Sequence, residues 1–251
     1  MAGAAILTRA QMTRPRTPAG LFGWVEAKSR RLGSTRTAKA YARSNVLAKK
    51  FYEEIRPMAL YALRRYGSRS DVRITPNLTN DNFDAVVAVP GEAPAYLEIT
   101  YAKDYDDALR LEVLAKEGSV NALTPRKIVR EKGAKRQVSF PNEAVEHADV
   151  VQNHLSLVEA RLEGKANKSY GRRHCLIVVV DDYISIRTSQ DTKALERVVT
   201  KKIRSQSLDF REIVAVGASG ALFLPYSVDA LRSNGRSQGT RRKRRAPEPR
   251  G

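Results

Sequence analysis

The segment FDAVVAVPGEAPAYLEITYAKDY, residues 83–105, sets two short runs rich in Val, Ile and Tyr around a Pro-Gly turn. β-Branched and aromatic residues bounded by turn formers predict a β-hairpin. Two acids interrupt it: Asp84 opens the first run and Glu98 sits inside the second, where strand packing favours apolar side chains. An unpaired buried carboxylate costs so much that such acids are met by a base, by hydrogen-bond donors or by a cation. A shared cation site is the simplest reading. Alternation along a strand puts Tyr96, Glu98 and Thr100 on one face and Leu97, Ile99 and Tyr101 on the other. For both acids to share a face, Asp84 must lie opposite Thr100 or Ala102, which predicts a bulge near Gly91 or a connection tighter or wider than a plain turn over residues 91–94.

Around this hairpin the charge is unevenly spread. Of the formal +18, residues 1–70 carry +12, residues 71–231 carry −1 and residues 232–251 carry +7. A neutral centre with cationic flanks suits a polyanionic partner held through phosphate contacts and counterion release. The chain, 251 residues long, is expected to form a basic arm that is partly ordered (1–35), one α/β domain (36–231) and a disordered basic tail (232–251) containing RRKRR at 241–245. The lone Cys175, inside CLIVVV, reads as a buried strand thiol. The longest apolar runs fall well short of a bilayer span, so no membrane partner is expected. A cytoplasmic location is expected, nucleoid-associated if the source is bacterial, with nuclear and organellar locations left open.

Periodicity predicts a helix over residues 37–66, broken or kinked by Pro57 and bearing Glu53 and Glu54 just before the kink. A short strand follows at 71–75, then the hairpin. Asp104, Asp106 and Asp107 precede a helical pattern that ends at Gly118. Residues 119–140 read as two irregular strands carrying Arg126, Lys127, Arg130, Lys135 and Arg136, a cationic clamp for a phosphate backbone or a solvated hairpin. Pro141 opens a long helix with Val151, Leu155, Val158 and Leu162 on its buried stripe, Gln152 on its polar side, and His147 and His154 at the stripe's edge. Lys165 and Lys168 lead into a buried strand over 174–180, closed by Asp181 and Asp182. Asp191 caps another helix, and a final hairpin spans residues 213–224.

An acid on one strand, a hairpin, an acid two residues before a conserved-type lysine slot on the next strand, and a preceding helix with its own glutamate resemble the PD-(D/E)xK pattern of restriction-endonuclease-like phosphodiesterases. Asp84 and Glu98 take the two strand positions, and Glu54 or Glu53 the helix position. Asn82 and Phe83 stand where that motif has its proline, and Thr100 stands in the lysine slot. The resemblance implies an αβββαβ core whose central mixed sheet is flanked by helices, over roughly residues 36–182. It implies a metal-dependent nuclease, with DNA favoured as substrate, in which Asp84, Glu98 and Glu54 hold Mg²⁺ or Mn²⁺. The Thr100 hydroxyl cannot supply a lysine's charge. Lys103, Lys165 or Lys168 then substitutes from another position, or a second metal does, or the fold binds without hydrolysis as a basic DNA- or RNA-binding protein. Lys165, Lys168 and Gln152 also join the expected nucleic-acid contacts, and a homodimer is left open.

Overall fold

The computed structural model describes residues 6–34, 45–79, 81–103, 127–129, 137–139 and 144–239, with the side chains of 127–129, 137–139 and 234–239 excepted. The expected helix over 104–118, together with Arg126, Arg130, Lys135, Arg136 and the 240–251 tail, lies outside these residues.

One mixed, open sheet organises the chain. Three strands, β1 (Arg73–Pro76), β2 (Ala85–Ala88) and β3 (Ala95–Tyr101), form an antiparallel meander. β6 (His174–Val180) lies parallel to β3, β7 (Glu212–Gly217) parallel to β6, and β8 (Phe223–Ser227) antiparallel to β7, giving the order β1-β2-β3-β6-β7-β8. β4 (Lys127–Val129) and β5 (Gln137–Ser139) pair separately as an antiparallel ribbon, as the two expected irregular strands.

Helices cover both faces. β6 is apolar throughout, and its alternation feeds two cores: Cys175, Ile177 and Val179 on one side, Leu176, Val178 and Val180 on the other. The first core is roofed by α2 (Pro18–Gly33), α3 (Val46–Lys50), a π-helical turn (Phe51–Ile55) and α4 (Arg56–Tyr66). The second is covered by α5 (His147–Glu163) and α6 (Ser189–Ser205), with α7 (Val228–Gly239) adding Val228 and Leu231. Among the described residues no helix is long and apolar enough to cross a membrane.

Several expectations are corrected. The N-terminal arm contains α1 (Arg9–Met12) and α2, whose Leu21, Val25 and Leu32 are buried in the first core. Thr17 caps α2 through its hydroxyl, Pro18 sits at the first turn, and Arg16 exchanges backbone hydrogen bonds with Ile74 of β1 (3.0 and 2.8 Å). α5 starts at His147, after extended Glu146, and not at Pro141. Thr188, not Asp191, is the N-cap of α6; Asp191 is the reciprocal member three residues on, completing a capping box. Residues 232–239 of the expected disordered tail are helical, continuing α7. The expected irregularity at Pro57 takes the form of the π-helical turn directly before it, and the missing Pro57 N–H falls at the start of α4.

Candidate active site

β2 and β3 part company at Asp84. The paired ladder ends at Ala85 and Leu97, whereas β3 runs on to Tyr101 with only β6 beside it. The backbone N–H groups of Tyr96 and Ala102 are directed at β6, to the carbonyls of Arg173 and Val179, so that of Ile99 points into the fork. Asp84 fills the gap. Its backbone N–H donates to the Leu97 carbonyl (2.7 Å) and its Oδ2 accepts the Ile99 N–H (2.7 Å), grasping the backbone on both sides of Glu98. The register continued by one residue sets Asp84 beside Glu98, not opposite Thr100 or Ala102 as expected. The reason lies in the connection: the β2–β3 pairs run without an offset, and residues 89–94 form a wide loop with Gly91 at φ +79°.

Two further groups close on this point from other elements. Lys165, just past the end of α5, forms an ion pair through Nζ with Glu98 Oε1; the two side chains are only 18% and 13% exposed. Burial works against the Lys165 ammonium, but Glu98 and Tyr170 outweigh it and hold its pKa above the usual lysine value. From the π-helical turn, Glu54 pairs with Lys50 (3.4 Å). Burial raises the Glu54 pKa, Lys50 offsets this in part, and the charges of Glu53 and Glu98 add to it.

Asp84 registers the whole cluster. Its carboxyl is pushed up to about 7, chiefly by burial, against the pull of the Ile99 N–H. The negative charges of Glu98 and Glu54 raise it further, and the positive charge of Lys165 opposes them. The carboxylates of Asp84, Glu98 and Glu54 and the ammonium groups of Lys165 and Lys50 thus share an electrostatic neighbourhood built from the helix around the π-turn, the head of β2, the middle of β3 and the end of α5. A π-turn adds a residue to the helix, and such turns are frequent at functional sites.

The other expected site residues go elsewhere. Lys103 forms an ion pair with Glu53, and its carbonyl accepts a hydrogen bond from Arg161 Nη2 (3.1 Å), so Lys165 and not Lys103 is the lysine at Glu98. Thr100 stands beside Val178 in the β3–β6 register, half-buried. Lys168 lines a separate polar cavity of about 230 Å³ with Asp209 and Arg172. Gln152 is exposed on α5, and Lys127 opens β4 with its side chain outside the described residues. His147 and His154 share no site: His147 Nε2 meets Asp191 Oδ2 (3.2 Å), while buried His154 accepts the Asp181 N–H (3.1 Å). Asp181 caps the turn after β6 by accepting from the Tyr183 and Ile184 N–H groups, and Asp182 braces the β7–β8 turn through Ser219.

Sequence reasoning missed two features. His174 lies buried two pairs below Glu98, stacked on Tyr96 (4.9 Å) and edge-on to Tyr170 (5.7 Å), with burial lowering its pKa. A row of cations also runs along the outer face of α6, at Lys193, Arg197, Lys201 and Arg204, and its three- and four-residue spacing was there to be read.

Among the described residues no group of three or more His, Cys, Asp or Glu is gathered tightly enough to hold a metal ion. The carboxylates of Asp84, Glu98 and Glu54 are hard oxygen donors. That chemistry suits Mg²⁺, which keeps several waters and is held by one or two carboxylates together with substrate phosphates, and does not suit a closed zinc cage. Comparison with protein-family models, with curated proteins and with solved structures finds no match to this chain.

Proposed function

We propose that the chain is a metal-dependent phosphodiesterase acting on nucleic acid, DNA by preference, on a core of the restriction-endonuclease-like kind. The observation that carries the reading is Asp84 bonded across the backbone of Glu98 at a fork in the sheet, with Lys165 seated on Glu98. Support for the fold comes from the element order, a helix, an antiparallel three-strand meander, a helix and a parallel strand.

In this reading Asp84, Glu98 and Glu54 would hold the ion. Because Asp84 Oδ2 is committed to the Ile99 N–H, Oδ1 would be the oxygen left for a cation. A bound Mg²⁺ would neutralise the scissile phosphate and lower the pKa of the attacking water. Lys165 does what Thr100 cannot: its ammonium, held charged by Glu98, offsets the negative charge that builds on the phosphate. The helix-borne position replaces the strand-borne one because a long, flexible side chain entering from the end of α5 reaches the same carboxylate.

The test is Mg²⁺- or Mn²⁺-dependent cleavage of plasmid and single-stranded DNA by the full chain. Asp84→Ala and Glu98→Ala should abolish cleavage while DNA binding persists, and Lys165→Met should reduce it by roughly 100-fold or more, the usual loss for a group aimed at developing charge. Cleavage undiminished in these variants overturns the proposal. A second reading is favoured by the satisfied Glu98–Lys165 pair: a non-catalytic basic DNA- or RNA-binding protein in which the lysine stands in for the ion. Salt-sensitive binding without cleavage at any divalent concentration would select it.

A further inference from the structure

The four outer-face cations of α6 are exposed, and on this face the acid Glu196 stands among them without an ion pair to any of the four among the described residues. Lys202, on the opposite side of the same helix, is held by both Glu159 (2.7 Å) and Glu163 of α5. The contrast is informative, because like charges four residues apart, Lys193 to Arg197 and Arg197 to Lys201, destabilise a helix by a few tenths of a kcal/mol per pair. At 1.5 Å per residue the row from Lys193 to Arg204 spans about 16 Å, roughly five base-pair rises of a duplex.

Past the C-terminal end of α6, Ser207 and Leu208 line the 230 Å³ polar cavity together with Lys168, Ser169, Arg172 and the acid Asp209. Three residues before Lys168 stands Lys165, the lysine on Glu98. We infer that the outer face of α6, continued by Lys168 towards Lys165, is a docking track for the phosphodiester backbone of a nucleic acid. The inference deepens the nuclease reading by assigning the face on which substrate lies, yet its test requires no cleavage.

A variant carrying Lys193→Gln, Arg197→Gln, Lys201→Gln and Arg204→Gln is compared with one of equal net charge carrying Arg9→Gln, Arg14→Gln, Arg31→Gln and Lys49→Gln. Binding of a fluorescent duplex is measured in EDTA between 50 and 200 mM salt, after circular dichroism confirms folding of both proteins. The α6 variant should lose roughly tenfold or more in affinity at the lowest salt, and the slope of log Kobs against log salt should shrink by about 3 to 4, at 0.9 per lost phosphate contact. The control should change the slope by less than half as much. Equal changes in the two variants, or none in the α6 variant, overturn the track. Loss of binding in the α6 variant by a wild-type protein that never cleaves leaves the track standing and removes the nuclease.

Discussion

At the scale of single residues the decisive group is Asp84, whose carboxyl sits near pH 7 in the folded chain against an ordinary value of 3.8. The folded state therefore holds that proton more tightly than the unfolded one. The resulting stabilisation is complete below about pH 4 and is lost as pH rises through 7, amounting to at most about 4 kcal/mol at 1.36 kcal/mol per pKa unit. Asn keeps an oxygen for the Ile99 N–H but cannot ionise. Asp84→Asn should match wild type in urea midpoint near pH 4 and exceed it at pH 8. Mg²⁺ should then narrow the gap at pH 8 by stabilising only the wild type; a gap that is constant with pH would show that Asp84 is not in this environment. The two strand acids were legible because each stands where a strand wants an apolar residue. Their partners were not: whether Lys103 or Lys165 meets Glu98 depends on the path of α5 across the sheet, which local periodicity does not encode, and Glu53 captures Lys103 first.

Elements were legible where their signal is local. The apolar run of β6, the stripe of α5 and the β7–β8 hairpin appear close to where pattern placed them. α2 escaped because three glycines and a proline mask its stripe, and its Leu21, Val25 and Leu32 acquire meaning only against α4. The turn after β7 supplies a test of how elements are locked together. A Cβ on Gly217 would lie 1.9 Å from Asp182 Oδ2. That carboxylate accepts the Ser219 N–H (2.7 Å) through its other oxygen, tying the end of β6 to the β7–β8 turn. Gly217→Ala must expel Asp182, and should lower stability by about 2–4 kcal/mol, from overpacking plus the lost bond. With Asp182→Ala in the background the same glycine change should cost about 1–2 kcal/mol less, a coupling that a double-mutant cycle in urea reads directly. Additive effects would mean that the two residues do not touch.

For the whole molecule, β6 is the hinge of the argument, since its two faces feed both cores and a probe on it reports on both layers. Cys175 is that probe: it lies buried in the first core, and burial, with the Glu212 charge, pushes its thiol up to about 12. Neither access nor a thiolate exists in the folded state, so alkylation must proceed through opening of the sheet. In the slow-labelling limit the rate measures the open population, and any ligand bound only by the folded chain slows it by a factor of 1 + [L]/Kd. The strong positive charge of the chain, +18, makes a nucleic acid the ligand to try. A duplex at 100 times its Kd should retard Cys175 alkylation about 100-fold, equivalent to about 2.7 kcal/mol. The retardation should fade as salt is raised, because the same counterions then compete for the phosphates. A rate indifferent to DNA at low salt would show that binding is not coupled to opening of the sheet, and would separate the charge of the molecule from the function of its fold.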